Sequence, residues 1–123
     1  MTTRGVILFG HGSRDPAWRE PMDAVARSIA GKAPGTRVVC AFLELQAPDF
    51  PAAVAELAAG GAQHVTVLPM FLGVGKHARQ DLPALVGAAR AAHPAMAFTV
   101  LPSAGELPAV IEALAEALLR ASP

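Results

Sequence analysis

Val6-Ile7-Leu8-Phe9-Gly10-His11-Gly12-Ser13-Arg14 joins four consecutive apolar residues to a polar loop flanked by glycines. A short, unbroken apolar run of this kind predicts a strand buried on both faces, as in a parallel sheet. The same pattern recurs at residues 37–43, 64–69 and 97–101, the second run reading Val38-Val39-Cys40-Ala41-Phe42-Leu43. Between the runs, apolar residues fall at helical spacing. Met22, Val25, Ala26 and Ile29 form one such set, and Phe50, Val54, Leu57 and Ala58 the next. Leu82, Leu85, Val86 and Ala89 form a third, and Leu107, Val110, Ile111, Leu114 and Leu118 a strongly amphipathic fourth. Strand and helix alternate four times. The expected fold is therefore α/β, a four-stranded and mostly parallel sheet flanked by helices, with right-handed crossovers.

Punctuation agrees with this order. Asp49 suits a helix cap, Gly60-Gly61 stops the second helix, and His93-Pro94 stops the third. Pro16 and Pro21 fit the first turn of the first helix better than its middle. The 123 residues are read as one domain, 1–123, without a linker or a charge block. His11-Gly-Ser-Arg14-Asp15-Pro16 and His77-Ala-Arg79-Gln-Asp81-Leu-Pro83 form a faint internal echo, each between a strand and a helix.

Apolar residues make up 53% and charged residues 16%, enough apolar content for a packed core and too much for a disordered chain. Ten basic residues balance ten acidic ones, which argues against nucleic-acid binding by phosphate neutralisation and against a polybasic membrane anchor. One cysteine excludes an internal disulfide and a zinc ribbon built within one chain. The first apolar run is too short for a signal peptide, and no run approaches a membrane span of roughly 20 residues. A soluble, cytoplasmic protein is the expectation.

Parallel α/β sheets bind ligands beyond the C-terminal ends of their strands. Three such ends carry chemistry here: His11 after the first strand, Glu44 at the end of the second, and His77 after the third, behind Gly73-Val74-Gly75-Lys76. Glycines around His11 let the backbone turn sharply and approach a ligand. Two imidazoles and a carboxylate suit a divalent first-row metal such as cobalt, nickel, iron or zinc, and no thiolate is placed to hold it tightly. The same histidines can also take up protons. Arg14, Lys76 and Arg79 cluster near this edge as ordinary solvated charge or as attraction for an anion. Trp18 and Met22 could line a cleft, with packing the plainer role. His64 opens a strand and His93 ends a helix, where a cation favours the helix dipole, so both are read as structural. Cys40 is read as a small buried hydrophobe.

Other motifs fail on their own terms. Gly75-Lys76 lacks the first glycine and the Ser/Thr of a phosphate-binding loop. Ser13 is followed by Arg14 without the glycine of a nucleophile elbow, and Gly10-Gly12 lacks a third glycine for a dinucleotide site. A histidine phosphatase needs an arginine directly before its nucleophile, where Gly10 stands.

At these residues the sequence resembles the small sirohydrochlorin chelatases, the CbiX/SirB-type class II tetrapyrrole chelatases. The opening run through Arg14 is similar to their first motif, and Ala41-Phe42-Leu43-Glu44 followed by Pro48 to their second. Leu68-Pro69-Met70-Phe71-Leu72, then Gly75-Lys76-His77, then Asp81-Leu82-Pro83, is similar to their third. The resemblance runs over about residues 5–90 with the family's order and spacing. It implies a chelatase-like fold and insertion of a divalent metal into sirohydrochlorin, with His11 and His77 binding the incoming ion and His11 accepting a proton. Glu44 is implied as a further metal or proton-relay group. Leu72, Gly73, Val74, Gly75, Lys76 and His77 are implied to contact the tetrapyrrole, as are Gln46 and Ala47. Some relatives carry an acidic residue near Ala47, where this chain has none. The resemblance further implies a homodimer for chains of this length. The last helix could form its contact surface or could face the sheet.

The mechanistic expectation follows. Arg14, Lys76 and Arg79 attract the acid groups of the macrocycle, His11 takes a pyrrole proton, and His77 with Glu44 delivers the metal. No organic cofactor or nucleotide site is visible, so insertion without ATP is expected. Cobalt is favoured, with iron or nickel as the other candidate ions. Two rivals from other classes stand beside this reading. One is a non-catalytic cobalt- or nickel-binding or metal-delivery protein; the other is a hydrolase using His11 with Arg14.

Overall fold

The computed structural model describes residues 4–73 and 75–123, with 76–79 described by their backbone alone. Strand β1 (Arg4–Gly10) leads through a short 3-10 turn (Pro16–Arg19) into α1 (Glu20–Lys32). Then follow β2 (Arg37–Phe42), α2 (Phe50–Ala59), β3 (His64–Pro69), α3 (Lys76–Ala92) and β4 (Ala97–Val100). A second 3-10 turn (Ala104–Glu106) precedes α4 (Pro108–Ala121). The four strands form one sheet in the order β2-β1-β3-β4. Every pairing is parallel, so the expected mostly parallel sheet is parallel throughout.

The local signals explain the element starts. The Asp15 carboxylate accepts from the Ala17 amide at 2.9 Å, with Pro16 in the first position of the 3-10 turn. Asp49 accepts from the Ala52 amide at 2.9 Å and caps α2. Pro21 sits in the first turn of α1, where its missing N–H costs nothing.

β1 is buried on both faces, as its unbroken apolar run requires. Ile7 and Phe9 join Val39, Ala41, Val65 and Val67 under α2 and α3. Phe9 meets Phe50 edge to face at 5.7 Å between ring centres. On the opposite face Leu8, Cys40 and Phe42 pack with Met22 of α1. Burial, with Asp23 nearby, pushes the Cys40 thiol up, consistent with a packing role. Arg19 spans Asp23 and the Phe42 ring, its guanidinium carbon 4.8 Å from the ring centre.

Strand ends differ slightly from the sequence reading. β2 stops at Phe42 and β4 at Val100, so Leu43, Glu44 and Leu101 belong to loops. The chain leaves Phe42 because Pro48 folds back over it: the Phe42 amide donates to the Pro48 carbonyl at 3.0 Å. The apolar stripe of α4 does not bury itself against the sheet. Ile111 and Leu114 are half exposed, and Leu118 is 69% exposed.

Candidate functional site

The order of the strands creates a crevice. β1 hands the chain to α1 on one face of the sheet, while its neighbour β3 hands it to α3 on the other. Between two adjacent strands whose connections part in this way, the C-terminal edge opens. His11 lies at the end of β1 beside this opening, and the backbone of His77 lies in the first turn of α3 across from it.

Glu44 reaches His11 because strand pairing continues past the strands. The Leu43 amide donates to the Gly10 carbonyl at 2.9 Å, and the Glu44 amide to the His11 carbonyl at 3.0 Å. The two side chains then meet, His11 Nε2 lying 2.9 Å from Glu44 Oε1. Gly12 makes this approach possible. It is buried, its φ is +101°, and a Cβ placed on it would overlap the Glu44 carbonyl oxygen. Only glycine accepts both that backbone angle and that contact.

The loop that carries Glu44 is tightly wound. Leu45 takes a left-handed φ of 68°, a costly conformation for a branched side chain. The Gln46 amide donates to the Glu44 carbonyl at 2.8 Å, and the Gln46 side-chain oxygen accepts from the Ser13 amide at 3.1 Å. Gln46 thus ties the Glu44 loop to the His11 loop. The sequence reading placed it only as a substrate-lining residue, because a hydrogen bond across 33 residues leaves no local signal.

His11 and Glu44 are each about half exposed, 52% and 57%. The pair is screened by water and adds little to stability. Its accessibility matters chemically: a solvated cation can reach both atoms. An imidazole nitrogen and a carboxylate oxygen are donors of the kind a first-row metal ion takes. Among the described residues no third His, Cys, Asp or Glu joins them. The assignments made to Val74 and to the side chains of Lys76, His77 and Arg79 lie outside the described residues.

The other candidates are distributed as follows. Arg14, Ala47, Leu72, Gly73 and Gly75 are exposed on loops at this same edge. Trp18 is 40% exposed and leans on Phe42 at 6.3 Å, whereas Met22 is buried under the same strands. His64 hydrogen-bonds Thr99 at 2.8 Å at the opposite end of the sheet, and His93 caps the C-terminus of α3, both as structural residues. A cavity of about 640 Å³ opens between α3 and β4, lined by Leu82, Val86, Val100, Leu101, Arg90 and Glu106 among others. None of the site candidates lines it.

Comparison with known proteins follows the same lines. The CbiX family model matches residues 5–121. A sirohydrochlorin cobaltochelatase of Methanothermobacter thermautotrophicus is 37% identical over 83 residues, which cover 68% of this chain and 57% of that protein. One from Saccharolobus solfataricus is 34% identical over 83 residues, 68% of this chain and 63% of that protein. The aligned region thus spans less than two thirds of these relatives. Among solved structures, a CbiX protein of Marinobacter aquaeolei VT8 superposes with a TM-score of 0.76 at 27% identity, covering 97% of this chain and 99% of that one. The sirohydrochlorin chelatase SirB of Bacillus subtilis subspecies spizizenii, in complex with cobalt, gives 0.78 at 23% identity, covering 98% of this chain and 51% of SirB. This second likeness is one of fold.

Proposed function

We propose, for a chain that belongs to the CbiX family, that it inserts a divalent metal ion, cobalt first, into sirohydrochlorin without ATP. The observation that carries this reading is the 2.9 Å approach of His11 Nε2 to Glu44 Oε1 at the open edge of the sheet. A macrocycle must lose two pyrrole protons as the metal enters. In this reading His11 first holds the ion; as the ion passes to the ring nitrogens, the freed imidazole lone pair takes one pyrrole proton, and the second leaves through the Glu44 carboxylate to water. His77 supplies the second imidazole. Arg14 and Lys76 receive the acid groups of the substrate, and Ala47, Leu72, Gly73, Val74 and Gly75 receive its ring. Cobalt is favoured because the matched curated relatives are cobaltochelatases.

The assay follows the visible spectrum of sirohydrochlorin with Co²⁺, without ATP, against the spontaneous rate. The expected result is protein-dependent metallation, with Fe²⁺ and Ni²⁺ ranking below cobalt. Stoichiometric Co²⁺ binding without faster metallation would replace the chelatase by a metal carrier.

The proposal includes one domain over 1–123, a cytoplasmic setting and a homodimer. No described helix is long and apolar enough to cross a membrane. For the dimer, the support is α4: Ile111, Leu114, Leu118 and Leu119 are between 48% and 75% exposed on a helix that packs chiefly on the turn before it. A flat, wide substrate also fits a cleft between two subunits better than one sheet edge. Leu118→Glu is expected to weaken self-association at least about tenfold in sedimentation measurements. Unchanged association would remove α4 from the interface.

A further inference from the structure

We propose that the 3-10 turn after β4, with Gly105 at its centre, is a positioning device for the loop that receives the macrocycle. This inference rests on the chelatase reading above. The turn touches that loop through backbone atoms. The Gly105 amide donates to the Phe71 carbonyl at 2.9 Å. A Cβ on Gly105 would overlap the Cα, carbonyl carbon and oxygen of Leu72. That space is closed by main chain, so no side-chain rotation relieves it.

The turn is itself held firmly. Ser103 is 1% exposed, the one buried polar residue among those described. Its hydroxyl donates to Glu106 Oε1 at 2.7 Å, and the Glu106 amide donates to the Ser103 carbonyl at 2.9 Å. Just before it, the Leu101 amide donates to the Val67 carbonyl at 2.9 Å, which fastens this segment to β3. A fixed turn therefore backs a loop whose Leu72 side chain is 79% exposed. Backed by Gly105, Leu72 stays presented to solvent, where the apolar face of a flat ring would meet it. Gly12 against Glu44 does the same on the other side of the crevice: in each case a glycine from one loop seats the backbone of its neighbour.

Gly105→Ala separates this role from general stability. Expected is a rise of at least about tenfold in the sirohydrochlorin KM. The kcat should stay within about threefold, and Co²⁺ affinity measured without the macrocycle should change far less than KM, because the added methyl group meets Leu72 alone and neither the His11–Glu44 pair nor the α3 backbone that carries His77. A KM equal to wild type in a folded variant overturns the proposal. So does a parallel loss of kcat, KM and Co²⁺ affinity, which would mark a merely structural glycine. Should Gly105→Ala fail to fold, the Glu106 pair decides. Glu106→Gln keeps the acceptor for Ser103 and should keep the wild-type KM, while Glu106→Ala should raise it. Equal KM values for both overturn the proposal. A wild-type protein that neither binds nor metallates sirohydrochlorin would remove the chelatase reading, and this inference with it. A normal wild-type rate with an unaffected Gly105→Ala would remove only the positioning role.

Discussion

On the proposed chelatase activity, His11→Ala is expected to slow cobalt insertion into sirohydrochlorin by at least about 100-fold, the lower range for removal of a general base. In the proposed mechanism two losses combine: a proton acceptor and a metal ligand leave together. Stability should hardly move. The side chain is half exposed and its bond is to a half-exposed carboxylate, so the change in unfolding free energy should stay within about 0.5 kcal/mol. Glu44→Gln isolates the charge. The amide can still hydrogen-bond His11, but it offers a cation no negative oxygen. Its rate should fall between wild type and His11→Ala, and its Co²⁺ affinity should fall with it. The measurements are initial rates, metal titration and thermal unfolding on the same three proteins. A His11→Ala rate within threefold of wild type would remove His11 from the chemistry.

Gly12→Ala should damage both stability and function. At φ +101° an L-residue is strained by about 1–3 kcal/mol, and the methyl group must also displace the Glu44 backbone. A loss of about 2 kcal/mol corresponds to a melting temperature lower by roughly 8 °C. The displaced Glu44 would lose its place beside His11, so Co²⁺ affinity and insertion rate should fall toward those of Glu44→Gln. Gly61→Ala is the control. Its φ is +88°, it lies in the turn between α2 and β3, and it is remote from the pair. It should lower the melting temperature while leaving the insertion rate unchanged. If Gly12→Ala keeps the wild-type metal affinity, the seating of Glu44 by Gly12 is wrong.

Much of this molecule is legible in its sequence for a physical reason. Burial patterns and caps are local. Residues 6–9 read as a doubly buried strand because no polar residue interrupts them, and β1 is buried on both faces. Asp49 reads as a cap because a carboxylate two or three residues ahead of a free amide is a short-range interaction, and it accepts from Ala52. The candidates His11 and Glu44 were legible too, as polar residues placed directly after apolar strands.

What lay beyond the sequence depends on contacts between distant segments. Apolar periodicity fixes that a strand exists, not which strand it pairs with. The order β2-β1-β3-β4, which opens the crevice between β1 and β3, is a property of how helices cross the sheet. The His11–Glu44 bond spans 33 residues and exists only because backbone pairing runs past both strands. Gln46 joins two loops through one hydrogen bond. Gly12 and Gly105 matter through the neighbouring backbone that a methyl group would strike, and a glycine in a sequence does not reveal what lies opposite it. The amphipathic stripe of α4 was plain in the sequence, but only the fold leaves it uncovered, because a helical period specifies a buried face and not its partner.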